Sequence, residues 1–140
     1  MARVPYPRVD GIPAQPAEQL QRDFESLPEE TTIVFSTSSV LVAGTFDTRL
    51  YVPFSGTIVS VRANVQAAPT STATFDVLKN GTSIFPTAAK PTVLAAAFVG
   101  AGFSVPDTRG LLTSDYLQVS VVAPGAATGL VVCINVRRAP

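Results

Sequence analysis

Thr57-Ile-Val-Ser-Val-Arg-Ala-Asn-Val-Gln66 sets the period of this chain. Val59, Val61, Ala63 and Val65 alternate with Ser60, Arg62, Asn64 and Gln66, a repeat of two that puts the apolar set on one face of a β-strand and the polar set on the other. The same texture extends in both directions. Strand-like runs precede it at Thr32–Ser36, Val40–Gly44 and Thr48–Pro53, and follow it at Ala73–Lys79, Ser83–Phe85, Thr92–Phe98, Tyr116–Ala123 and Gly129–Arg137. Asn80-Gly81 between Lys79 and Thr82 is a hairpin signal, because a type I′ turn needs positive φ at both central residues. Eight or nine short strands separated by Gly, Pro, Ser and Asp predict an all-β fold, an antiparallel β-sandwich, with a jelly-roll-like arrangement preferred.

Two stretches depart from that texture. Leu130-Val-Val-Cys-Ile-Asn-Val136 is largely apolar on both faces, which predicts a central strand covered on each side, or one face covered by another subunit. Thr92–Pro106 is apolar but interrupted by Gly100 and Gly102, and reads as a buried strand followed by a loop.

Upstream of the strands the composition changes. Residues 1–30 carry six acids (Asp10, Glu18, Asp23, Glu25, Glu29, Glu30) and three arginines (Arg3, Arg8, Arg22), and no glutamate follows Glu30. Residues 31–140 hold only eleven charged side chains, well below the roughly 25% of an ordinary soluble domain. We therefore divide the chain into an N-terminal proline-rich arm with a short helix, residues 1–30, and a β-sandwich domain, residues 31–140, read as an assembly subunit. Pro5, Pro7, Pro13 and Pro16 favour an extended arm. Between Pro16 and Pro28, Leu20, Phe24 and Leu27 share one helical face, and a helix this short must dock that stripe on its own domain or on another subunit. Arg3, Tyr6 and Arg8 combine cationic and aromatic groups on a pre-extended segment and are the expected partner-binding anchors.

Composition also narrows the chemistry. The formal net charge is zero, against the basic face a phosphate-backbone binder needs, so no nucleic acid is expected. The start lacks an apolar signal region, and no long apolar helical run predicts a membrane span. There is one cysteine, Cys133, and no histidine, which removes intrachain disulfides, the usual zinc patterns and the commonest general base. The expectation is a protein without enzymatic activity, metal or cofactor. Asp76 and Asp115 read as a solvated strand position and a turn closer rather than as calcium ligands. Cys133 reads as a small buried hydrophobe, Gly100-Ala-Gly102 lacks the lysine and helix of a phosphate loop, and Arg137-Arg138 reads as surface or as an intersubunit ion pair.

Gly56-Thr-Ile-Val-Ser-Val-Arg-Ala63, Phe75-Asp-Val-Leu-Lys-Asn-Gly-Thr-Ser-Ile-Phe85 and Leu112-Thr-Ser-Asp-Tyr-Leu-Gln-Val-Ser-Val121 together resemble a β-sandwich module of tailed-bacteriophage virion proteins. The leader, with Arg8-Val-Asp-Gly-Ile-Pro13 and Gln19-Leu-Gln-Arg-Asp-Phe-Glu25, is similar to N-terminal segments of tail-associated and fibre-like proteins. The resemblance implies a non-enzymatic virion component, assembled in the host cytoplasm and often a homotrimer, whose arm holds the major capsid or tail proteins. The chain has no heptad stalk or collagen-like repeat, so a capsid decoration, head-fibre or tail-associated subunit fits better than a long fibre. In this reading Leu20, Phe24 and Leu27 pack at the trimer base. The alternative is a carbohydrate- or host-surface-binding module. With no tryptophan present, Tyr51, Tyr116 and the phenylalanines are left to form its stacking platform for a surface glycan.

Overall fold

The structure, a computed structural model, describes residues 30–139. Every element in it is a β-strand: β1 (Glu30–Val40), β2 (Gly44–Thr45), β3 (Leu50–Tyr51), β4 (Gly56–Ala67), β5 (Ala73–Lys79), β6 (Thr82–Ser83), β7 (Thr92–Val93), β8 (Gly110–Leu111), β9 (Tyr116–Ala123) and β10 (Thr128–Arg138). The expected short helix with Leu20, Phe24 and Leu27, and the arm with Arg3, Tyr6 and Arg8, lie outside the described residues. Both sheets are antiparallel throughout. The first has the order β1-β10-β4-β8. The second has the order β2-β9-β5-β6, with β3 also on β9 and β7 also on β5.

The hairpin signal is realised. Asn80 has φ 51° and Gly81 φ 89°, and Leu78 pairs Ser83 while Lys79 pairs Thr82. Here the asparagine and glycine tolerate a conformation that most side chains resist. The turn is tied down as well: Asn80 Oδ1 accepts from the Tyr116 amide (3.1 Å) and Asn80 Nδ2 donates to Asp115 Oδ1 (2.8 Å).

One core takes side chains from both sheets. Phe35, Val61, Leu130, Val132 and Ile134 of the first sheet join Phe75, Val77, Leu117 and Val119 of the second in a single buried cluster. In β4 the core face is Val61, Ala63 and Val65, as the alternation predicts, but Val59 is only half-buried and Ile58 takes its place. The cause is a bulge: Asn135 of β10 faces Ser60 and the next residue, Val136, faces Ile58, so Val59 is the extra residue and the pleat changes phase there.

β10 is central, as its composition predicts, between β1 and β4. Its Leu130, Val132, Ile134 and Val136 are buried, whereas Val131, Cys133 and Asn135 are half-buried on the outer face. Cys133 is therefore not core. It stands directly between Val34 and Arg62. Asp76, read as solvated, is instead buried, with Oδ1 accepting from the Val77 amide (2.8 Å) and Ser83 Oγ (2.9 Å).

Candidate assembly surface

The outer face of the first sheet is built in rows that run across strands, because directly opposed residues in an antiparallel ladder point the same way. In one row Thr32 Oγ1 donates to Asn135 Oδ1 (2.9 Å), and Asn135 Nδ2 donates to Ser60 Oγ (3.0 Å). The next is Val34, Cys133 and Arg62; the one after is Ser36, Val131 and Asn64. Arg62 is the single charge in these three rows. Beyond them Arg137 meets Glu30 at 3.1 Å, an exposed ion pair of the kind worth little to stability. Of the two terminal arginines, Arg137 thus pairs within the chain, and Arg138 lies 6.0 Å from the Phe54 ring centre.

Residues 94–105 extend this surface past the edge of β4. The segment is stitched to β4 at two separated points, with Val65 N donating to Phe98 O (2.9 Å) and Val61 and Ser104 exchanging a pair of 2.8 Å bonds. Between them the Gly100 amide donates to Asn64 Oδ1 (3.0 Å), and Arg62 Nη2 donates to the Gly100 carbonyl at 3.4 Å. A side chain at Gly100 would run into the Ala63 carbonyl, so glycine is what lets this backbone lie so close. The buried strand expected at Thr92–Phe98 stops at Val93, and Ala96 turns the chain with φ 64°.

Beyond Val93 the large apolar residues are exposed, while Ala97 packs against the core. Leu94, Phe98, Val99, Phe103 and Val105 are each more than half exposed. The Arg62 guanidinium lies 4.9 Å from the centre of the Phe103 ring, a cation–π contact that holds the ring at the rim. Arg62 Nε is buried without a hydrogen-bond partner, a defect that costs about 1–3 kcal/mol. A band of large apolar groups beside a nearly neutral sheet face is the kind of surface that marks an interaction site.

The other sequence candidates fall elsewhere. Asp115 closes its turn: its Oδ2 accepts from the Leu112 amide (2.8 Å), and with the Asn80 bond this lowers its pKa from the ordinary value, Asn80 contributing most. No cluster of three metal-ligating side chains occurs among the described residues. A shallow cleft of about 470 Å³ between Ser55–Thr57 and Gly110–Leu112 has Lys79 as its one charged lining residue, and that amine donates to the Gly110 carbonyl at 2.9 Å. Tyr51 and Tyr116 are cross-strand neighbours on the second sheet. No helix among the described residues is long and apolar enough to cross a membrane.

The exposed apolar band is the feature that alternation alone missed. Its signal was available in the loss of period between Leu94 and Val105, where apolar residues no longer alternate and two glycines interrupt. No protein family, curated protein or solved structure matches this chain.

Proposed function

We propose that this chain is a non-enzymatic structural subunit of a tailed-bacteriophage virion, a decoration, head-fibre or tail-associated protein. In this reading it is a homotrimer with a jelly-roll body, anchored to capsid or tail proteins by residues 1–16. The observation that carries the assembly reading is the exposed band Leu94, Phe98, Val99, Phe103 and Val105 beside the neutral β1-β10-β4 face. A second copy of the chain is the occupant: the band supplies large apolar side chains, Phe98 and Phe103 among them, and the face beside it carries one lone cation, Arg62, the aromatic-and-arginine make-up of an interface core.

Strand order supports the jelly-roll part. With β2 and β3 counted as one broken strand, and β6 and β7 as another, eight strands remain. Their neighbour orders are first–last–third–sixth and second–seventh–fourth–fifth, as two interleaved Greek keys require. Charge supports the arm. Within the arm itself, residues 1–16, Arg3 and Arg8 outnumber Asp10, so the anchoring segment is cationic, while the other five acids of the first 30 residues follow in residues 17–30.

Light scattering on a sizing column should give the full chain three times its 14.6 kDa mass. Phe98→Ser with Phe103→Ser should shift that mass toward one subunit while the strand circular-dichroism signal is retained. A monomeric wild-type chain overturns the trimer. For the virion role, particles assembled without the subunit should lose integrity at lower temperature. Equal integrity with poorer adsorption favours the host-surface alternative, and no change in either overturns both.

A further inference from the structure

A second exposed cluster sits on the other sheet and does not depend on the assembly reading. Tyr51 of β3 and Tyr116 of β9 oppose each other directly, so both side chains leave the same face, with ring centroids 5.9 Å apart and planes tilted by 53°. Tyr51 is 66% exposed, so its ring is open to a ligand. The Arg49 guanidinium carbon lies 4.5 Å from the centre of the Tyr116 ring. Arg49 is itself exposed, and it makes no ion pair among the described residues.

The floor under this cluster is fixed. The Tyr116 amide donates to Asn80 Oδ1 and its carbonyl accepts from the Asn80 amide at 3.0 Å, so the tight turn clamps the tyrosine backbone from both sides. The neighbouring carboxylate, Asp115, has one oxygen on Asn80 Nδ2 and the other on the Leu112 amide, and so is occupied by donors of its own. Asp47 is the other acid close in sequence, and it too makes no ion pair with Arg49. Further along the outward side of β9 stand Gln118 and Ser120, neutral groups able to meet hydroxyls, and Gln118 Nε2 is already held by the Phe46 carbonyl at 3.2 Å.

We infer that Arg49, Tyr51 and Tyr116 form a binding site for a pyranose ring that carries a carboxylate. The guanidinium takes the carboxylate through paired N–H bonds, and the C–H face of the sugar rests on the exposed tyrosine ring. The guanidinium is already bedded on an aromatic face, so little side-chain freedom is lost when the anion arrives. Sugar fits better than acidic peptide. A peptide would gain most by adding a strand, but β9 is paired along both edges here and the free edge beside it, β3, is two residues long. Uronic and sialic acids share the required chemistry.

The test is calorimetric titration of the full chain with four probes: a glucuronate-containing tetrasaccharide, sialyllactose, lactose, and a short glutamate-rich peptide. Binding of either acidic saccharide supports the site and names the source of the carboxylate. Arg49→Gln should weaken that binding roughly tenfold or more. Arg49→Lys should fall between, since it keeps charge but not the paired geometry. Tyr51→Ala should also weaken it while leaving thermal stability and solution mass unchanged, which separates this site from the assembly surface. Equal binding of lactose, binding of the peptide alone, binding that survives Arg49→Gln, or no binding to any probe overturns the inference.

Discussion

In the β1-β10-β4-β8 sheet, three strands of eleven or twelve residues pair along most of their length, each ladder interrupted by a single register shift, whereas in the second sheet only β5 and β9 exceed two residues. Long ladders bury their alternate side chains as a unit, so the first sheet should hold most of the cooperative stability. Broken strands hand that stability to turns, and turns are where exposed side chains can be aimed. The two surfaces follow the same division. Beside the long-stranded sheet lie a nearly neutral face and an apolar rim. On the broken one a two-residue strand carries Tyr51 into the open.

The largest expected effect tests that division directly. Ile134→Ala, in the central strand of the first sheet, should lower the unfolding free energy by about 3–4 kcal/mol, while Leu50→Ala, half-buried in β3, should cost about 1 kcal/mol. Equal losses in urea titrations would erase the contrast between the sheets. Next is Gly100→Ala, where the added methyl group meets the Ala63 carbonyl; displacement of the 94–105 segment should cost about 1–3 kcal/mol. Faster amide exchange at Val65 and Ser104 would locate the damage at the two stitches.

Acid should act on the turns rather than on the ladders. Asp107 is held below its ordinary pKa of 3.8, first by the Ala88 amide, then by the amide and hydroxyl of Thr87. Asp115 is lowered by Asn80 and the Leu112 amide. A carboxylate whose folded pKa is depressed contributes stability that is complete above the unfolded value and lost as pH falls through the folded one. The thermal midpoint should therefore be flat through neutral pH and fall below about pH 4. Asp107→Asn should flatten part of that fall. The smallest effect on folding is expected from Phe103→Ser, within about 0.5 kcal/mol for an exposed side chain, even though it strips the apolar rim. A large loss of monomer stability there would mean the ring belongs to the core and not to an interface.

Much of this architecture was legible because strand period and turn chemistry are local. Ala73–Lys79 and Tyr116–Ala123 coincide with β5 and β9, and the Asn80-Gly81 turn falls where its φ preferences put it. Less legible were the places where one strand answers to another. The phase change at Val59 exists because consecutive residues of β10, Asn135 and Val136, face Ser60 and Ile58 and leave Val59 without a partner, and nothing in residues 57–66 records that. Thr48–Pro53 and Val40–Gly44 have the composition of strands but pair over two residues each around Leu50–Tyr51 and Gly44–Thr45. β8, only Gly110–Leu111, carries no periodic signal because two residues cannot show one. The sites divide in the same way. Tyr51 and Tyr116 were visible as the remaining aromatic candidates for stacking, but their meeting with Arg49 depends on the β3–β9 register.

The pairing of Glu30 with Arg137 has a mechanical consequence. The start of β1 and the end of β10 lie side by side at one corner of the sheet. Tension applied between those two points would open β1 from β10 one rung at a time, as a zip is drawn, with each hydrogen-bonded pair loaded alone. Tension between Glu30 and the opposite end of β10 would instead load all the rungs of that ladder together and meet far greater resistance. A pull applied at Glu30 would therefore meet firm or weak resistance according to its direction.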